Sequence, residues 1–478
     1  MIVEKKLSQE EAVTYHGGME RSFMTHIENR QRNIFIEIHE KVFIYFKIYL
    51  SDFLIPILKK VPKKLTYIDL FAGAGGLSEG FIRAGFEPIA HVEMDKAACL
   101  TLKTRVAYHY LKSENRYDEY ISYLKGEISR EELYSKIPGD LNQSVINLPI
   151  GEDYNDTIHK EIEAQLKKKS VDLIIGGPPC QAYSLVGRAR SADNMKGDKR
   201  NYLYVQYAGY LEKYQPKLFV FENVYGLLSA GNGVYLENMK KLFLKKGYNI
   251  KIFKLEANNF GVLQNRKRII IIGWKKNLNI ELPDLEAIKS LAEYKVSSIL
   301  EDLPEVKAGE SLSRYLTYKT ETNSYLENSS IRNGITILTQ HTARPHTEQD
   351  KEIYRIAVQK WNNKKERLNY NDLPEKLKTH KNRSSFFDRF KVVASDKHFS
   401  QTVVAHIAKD GHYYIHPDIK QNRSLTVREA ARLQSFPDDY FFEGIKDGQA
   451  RTPAFKQIGN AVPPLMAYAI ALKIKNLL

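Results

Sequence analysis

YIDLFAGAGGLSEGFIRAGFE, residues 67–87, joins two kinds of periodicity in one short stretch. Tyr67–Leu70 reads as a strand. The chain then passes through Gly73, Gly75 and Gly76 into a segment where Leu77, Phe81 and Ala84 share one helical face, with Gly85 placed as a C-cap. Glycines at such a turn let backbone approach a ligand closely, and the start of the helix favours polar or anionic groups. The next strand ends in Glu93, 20 residues beyond Gly73, where an acid can accept hydrogen bonds from ribose hydroxyls. The spacing is not G-x-G-x-x-G and no G-K-[ST] follows, which argues against a Walker-type phosphate loop. An adenosine-bearing ligand is the better expectation.

Outward from this unit, short apolar runs recur at Thr66–Leu70, Pro88–Val92, Val171–Ile175, Lys217–Phe221, Asn249–Leu255 and Ile269–Trp274. Apolar strands alternating with helical stretches predict an α/β fold, a doubly wound and mostly parallel sheet. Only Glu256–Arg268, without helical pattern, separates the last two runs, so an antiparallel excursion at the sheet edge is expected there. Residues 1–64 read as a helical, lysine-rich N-terminal extension and 65–275 as the main domain. Residues 276–420, polar and weakly periodic, read as a second, smaller irregular domain without long helices. Helical signals return at 421–478.

The 478 residues carry 72 Lys+Arg against 57 Asp+Glu, a formal net charge of +15, which favours a polyanionic partner. Two cysteines, Cys99 and Cys180, make neither a disulfide framework nor a multi-cysteine metal site. The histidines of 401–418 lack accompanying cysteine or clustered acid at ligand spacing, so no metal is expected. The N-terminus lacks an apolar core of signal-peptide length and no apolar run reaches membrane-spanning length, which leads to the expectation of a cytoplasmic, nucleoid-associated protein.

Two further strand ends carry chemistry. VDLIIGGPPCQAYSLVGR (171–188) ends a strand in two glycines, two prolines and Cys180; the prolines stiffen the turn and present the thiol where ligands sit in open α/β sheets. Cys99, in AACLTLK, has no such setting and reads as a buried small hydrophobe. PKLFVFENVYGLL (216–228) ends an apolar strand in Glu222 and Asn223, and an acid there is costly to desolvate unless paired or functional. In the C-terminal stretch, Thr426 and Glu429 are spaced as a capping box for a helix over Val427–Gln434, read as scaffold, with Pro437 beyond it.

Together DLFAGAGG (69–76), GGPPCQAYS (176–184), ENV (222–224), QNRKR (264–268), SLTVREAARLQSFPDDY (424–440) and QIGNAVPP (457–464) resemble the DNA (cytosine-5)-methyltransferases, in that family's order. Tyr183, where the family usually has phenylalanine, is a small departure. The resemblance implies a fold of the S-adenosylmethionine-dependent methyltransferase type. It implies Cys180 as nucleophile, Glu222 as the acid on the cytosine ring, and Arg266 and Arg268 as cations holding the base and its neighbours. It further implies Phe71, Ala72, Gly73, Gly75, Gly76, Leu77, Glu93, Met94 and Pro178 as contacts of S-adenosylmethionine, with Asn460 and Val462 closing over its methionine end and either Asp153 or Asp156 near the adenine.

The partner it implies is double-stranded DNA with the target base flipped out. The block 276–420 would be the target-recognition region, with Arg344, His346, Lys381, Arg383 and Arg389 as candidates for phosphates or guanine edges. By analogy the protein would be a monomer in a restriction–modification system, with a cognate endonuclease acting separately. A transfer-RNA methyltransferase on the same fold is disfavoured by the long block 276–420 and by Gln181, where the RNA branch has phenylalanine. A non-catalytic DNA-binding protein is disfavoured by intact Cys180, Glu222 and Arg268.

Overall fold

Seven strands form one sheet: β1 (Thr66–Leu70), β2 (Glu87–Val92), β3 (Val145–Ile146), β4 (Leu173–Gly176), β5 (Leu218–Val224), β6 (Tyr248–Glu256) and β7 (Lys267–Lys275), in the order β3-β2-β1-β4-β5-β7-β6. The structure, a computed structural model, describes residues 64–167, 169–179, 202–286, 288, 293–310 and 313–478, with the backbone alone at 385. The expected extension over 1–64, but for its last residue, and Cys180 lie outside the described residues. The strands from β3 to β5 pair in parallel, while β7 runs antiparallel to both β5 and β6. All six expected strands are present and the edge excursion is β6–β7; β3, two residues long, is too short to leave a periodic signal.

The helices that flank the sheet are α1 (Gly76–Arg83), α2 (Lys96–Ser113), α3 (Tyr117–Lys125), α4 (Arg130–Ser135), α5 (Glu152–Leu166), α6 (Leu203–Tyr214) and α7 (Val234–Lys245); further on come α8 (Glu348–Lys364), α9 (Val427–Leu433), α10 (Arg451–Asn460) and α11 (Pro464–Lys475). Strand residues divide between two cores by the pleat. Ile68, Ile174, Phe219, Phe221, Ile269 and Ile271 pack with α5, α6 and α7. Their neighbours Tyr67, Leu173, Ile175, Leu218, Val220, Ile270 and Ile272 pack with Leu77 and Phe81 of α1 and Met466, Ile470 and Ile474 of α11. The C-terminus thus returns to complete the layer that the first helix begins.

Because β1 lies between β2 and β4, the chain leaves it in one direction and comes back on the other side. The carboxyl ends of β1 and β4 therefore flank a topological switch point, where open α/β sheets form ligand crevices. The glycine turn leaves one of these ends and the proline turn the other.

The expectation of no long helix in 276–420 is corrected by α8, 17 residues long, whose N-cap Thr347 accepts from the Asp350 N–H at 3.1 Å. Only Ile353, Tyr354, Ala357 and Val358 of α8 are buried, a stripe too narrow to stand out among Gln, Lys and Asn. The block also shares a core with the rest of the chain: Val296, Ile299, Tyr325, Val403, Ile407 and Tyr414 cluster with Ala74, Leu263 and residues of α9 and α10.

Candidate active site

At the end of β1 the backbone turns left-handed at Phe71 (φ 59°), Gly73 (φ 55°) and Gly75 (φ 81°), a run that β-carbons would strain. Gly73 borders open space: a Cβ placed on it would meet nothing within 4 Å. Gly76 has the opposite surroundings, for a Cβ there would lie 2.3 Å from the Val462 carbonyl oxygen. The absence of a side chain is what lets the C-terminal turn lie directly on the glycine loop. Val462, expected from sequence to belong here, is 7% exposed, and Asn460 two residues earlier is exposed.

Glu93, one residue past β2, accepts from the Gly73 N–H and the Asp95 N–H, both at 2.8 Å. Burial pushes its carboxyl up from the usual range, against the pull of these two donors. Beside it in the crevice wall, Asp69 of β1 is buried with Oδ2 lacking a hydrogen-bond partner, and burial, then the Glu93 charge, push it well above the ordinary carboxyl value. An open glycine edge, the unpaired Asp69 oxygen and the Glu93 carboxyl beside it match a ligand rich in hydroxyl and ammonium groups, so these residues fit an adenosyl amino acid. Ala72 and Leu77 turn their side chains into the core, which leaves only their backbone to face a ligand; Met94 is 65% exposed. Asp153 and Asp156 are both exposed on α5. Cys99 is buried, donates to the Glu93 carbonyl at 3.2 Å, and has its thiol pushed up to about 12 by burial, as an inert cysteine should.

Across the switch point, Glu222 lies within β5 diagonally opposite Arg268 of β7. Arg268 Nε is 2.6 Å from Glu222 Oε1, too bent for a hydrogen bond but well within ion-pair contact, and both side chains are about one-eighth exposed (12% and 13%). The exit from β4 is seated on the same pair. A Cβ on Gly177 would stand 2.6 Å from Glu222 Oε2, and Asn223 Nδ2 donates to the Pro178 carbonyl at 3.3 Å. The β4 exit therefore passes the Glu222 carboxylate at Gly177, three positions before Cys180 in the sequence.

Arg266 requires a correction. It is fully buried, and its guanidinium donates to the carbonyls of Val403 (2.7 Å), Gly459 (3.3 Å) and Ala461 (2.8 Å). A side chain so enclosed does not reach a base; spacing in QNRKR could not separate it from Arg268, which is partly exposed near the start of β7. Among the recognition candidates Arg344 is likewise internal, 7% exposed, bonded to the Ile407 carbonyl at 2.5 Å and stacked 4.8 Å from the Phe455 ring, with burial lowering its pKa to about 10. His346 is held between Ser424 and Tyr354 and burial lowers it to about 3. Arg389 pairs with Asp410. Lys381 and Arg383 are exposed, Arg383 facing Glu375 at 3.0 Å.

Sequence reasoning missed the groups that brace the glycine loop. Tyr440 donates its hydroxyl to the Ala74 carbonyl, and Arg105 bridges Glu79 (2.7 and 2.8 Å) to Asp439 (2.8 Å). No periodic signal marked them, since Glu79 lies on the side of α1 opposite Leu77 and Phe81, where an acid is ordinarily solvated.

A twisted, mostly parallel sheet with a glycine turn at its switch point and a carboxylate–guanidinium pair on the adjoining strands defines an S-adenosylmethionine-dependent methyltransferase-like α/β protein. The model of the C-5 cytosine-specific DNA methylase family matches residues 65–125 and 145–476, and the chain belongs to that family. It is 42% identical to the type II methyltransferase M.Bpa9945I of Bacillus paralicheniformis, over 87% of this chain and 99% of that protein, and 33% identical to M1.HphI of Haemophilus parahaemolyticus, over 89% of each. Among solved structures, an Escherichia coli protein described as a DNA modification methyltransferase encoded within a prophage superposes with a TM-score of 0.57 at 23% identity, covering 87% of this chain and 99% of that one, a likeness of fold. Members of the family generally use S-adenosylmethionine.

Proposed function

We propose that the protein methylates carbon 5 of one cytosine within a specific double-stranded DNA sequence, through a covalent adduct between Cys180 and a base flipped from the helix. The observation that carries this reading is the Glu222–Arg268 pair with the β4 exit lying on it, which brings an acid, a cation and the approach to the thiol to one point of the sheet edge. S-adenosylmethionine, when bound, supplies an electrophilic methyl group. Phe71, Gly73, Gly75, Gly76 and Glu93 would hold it, with Met94 and Pro178 at the rim, Asn460 and Val462 at the methionine end and Asp153 or Asp156 toward the adenine.

Carbon 5 of cytosine is a weak nucleophile. Addition of the Cys180 thiolate to carbon 6 converts the ring to an enamine, whose carbon 5 would take the methyl group as its bond to the sulfonium sulfur breaks and S-adenosylhomocysteine leaves. Glu222 hydrogen-bonds or protonates ring nitrogen 3 and so withdraws electrons during addition. Arg268 neutralises charge gathering on the ring oxygen while holding Glu222 in place. Loss of the carbon 5 proton and departure of the thiolate restore the aromatic ring.

The surplus of +15 supplies phosphate contacts, and the block 276–420, with Lys381 and Arg383 at its surface, selects the sequence. The relatives' names place them in type II systems; here too the product would protect DNA from a cognate endonuclease, the enzyme acting as a monomer. Bisulfite sequencing of DNA from cells expressing the protein should show one methylated cytosine context. Cys180→Ala should abolish it while DNA binding stays measurable; retained methylation removes Cys180 as nucleophile.

A further inference from the structure

Leu263–Arg266, the approach to β7, is fastened to two distant parts of the chain by side chains that are all fully buried. Gln264 donates to the Leu433 carbonyl and to Gln434 Oε1, both at 2.9 Å, and accepts from the Val403 N–H at 2.8 Å. Gln434 passes the connection on, donating to the Ile458 carbonyl at 2.6 Å. Ser400 runs alongside, its N–H bonded to the Leu263 carbonyl (3.0 Å) and its carbonyl accepting from Asn265 (2.9 Å). Arg266 closes the bracket on Val403, Gly459 and Ala461.

The two α10-end carbonyls are those on either side of Asn460. One guanidinium therefore fixes the backbone before and after the exposed asparagine, and the next residue, Val462, rests its carbonyl on Gly76. Gly459 is pinned from the other side as well, since a Cβ on it would stand 2.2 Å from the Ala405 nitrogen. Asn460 is exposed, so its direction is set by the backbone that these contacts hold.

We infer that Arg266, with Gln434, is a positioning residue for the cofactor: it presents Asn460 and Val462 to the methionine end and does so from the approach to the strand that carries Arg268. The inference rests on the reading above that Asn460 contacts the cofactor. A planar fork can serve carbonyls from separate segments at once, whereas the single ammonium of lysine cannot span them. Loss of the bracket lets Asn460 drift, which weakens binding without altering the groups on the cytosine ring.

The test uses the full-length protein. S-adenosylhomocysteine affinity is measured by calorimetry for Arg266→Lys, Gln434→Met and Asn460→Ala, alongside thermal midpoint, duplex-DNA affinity and kcat at saturating cofactor. Arg266→Lys should weaken cofactor binding about tenfold, with kcat at saturation within about twofold of wild type. Gln434→Met should act in the same direction by a smaller factor, and it carries the test alone if Arg266→Lys does not fold. Unchanged cofactor affinity in the folded variants, with Asn460→Ala weakened, overturns the inference and leaves the reading of Asn460 standing. Unchanged affinity in Asn460→Ala overturns that reading, and with it the route assigned to Arg266.

Discussion

The belt around α9 and the carboxyl edge of the sheet both bury charge, yet they treat it in opposite ways. In the belt, Arg423 binds both oxygens of Glu429 at 2.7 Å as well as the Val306 carbonyl, and Arg432 bridges Asp302 and Asp438. Arg428 donates to the carbonyls of Thr339, Pro437 and Tyr440. All three are fully buried and none leaves a nitrogen without a partner. At the sheet edge, Asp69 keeps an oxygen unpaired, Glu93 is raised by burial, and Arg268 meets Glu222 out of hydrogen-bond alignment. The belt answers its buried charges within the chain, as scaffold does; an unpaired buried oxygen such as that of Asp69 is the kind of group a ligand would satisfy.

The contrast can be broken by substitution, and the largest effect is expected in the belt. Arg432→Ala would leave Asp302 and Asp438 buried without their cation, costing roughly 3–5 kcal/mol by urea denaturation. A loss below about 1 kcal/mol would show that the belt is not held by its charges. At the edge, Glu222→Gln keeps shape and burial, so the urea midpoint should hold while kcat falls about a hundredfold. The reverse pattern, a lost fold with undiminished turnover per folded molecule, would make Glu222 scaffold.

A smaller effect is expected at the start of α9. Thr426 accepts from the Glu429 N–H at 3.2 Å, and the Glu429 carboxylate accepts from the Thr426 N–H at 2.8 Å, the capping box legible in the sequence. Thr426→Ala should cost about 1 kcal/mol of stability and leave methylation rate unchanged; a proportionate drop in kcat would tie the cap to the site.

A pH-dependent effect sharpens the comparison, since one buried acid of the scaffold behaves like an edge acid. Glu443 is fully buried among Tyr123, Thr104 and Arg130, and burial raises it to about 7. Its folded value exceeds its unfolded one, so its share of stability is complete below about pH 4 and is lost as pH rises through about 7. Denaturation midpoints should decline over that window in the wild type and more shallowly in Glu443→Gln. Parallel slopes would mean the carboxyl is already ionised in the fold.

How much of this was written locally can be judged from particular residues. The glycine turn, the six principal strands and the α9 cap follow from period, propensity and spacing, which neighbouring residues impose on one another. Glu222 was legible because an acid ending an apolar run is conspicuous. By contrast α8 hid behind a four-residue apolar stripe, and β3 was too short to register.

What the sequence alone determined was the sheet, the family motifs and the candidate groups for the chemistry. Only the tertiary structure decided which of two arginines two residues apart faces the site. Arg266, just before β7, and Arg268, within it, share a charge, but the turn at Gly459–Ala461 encloses one of them. Burial and partnership arise from segments almost two hundred residues away, and local pattern carries no record of them.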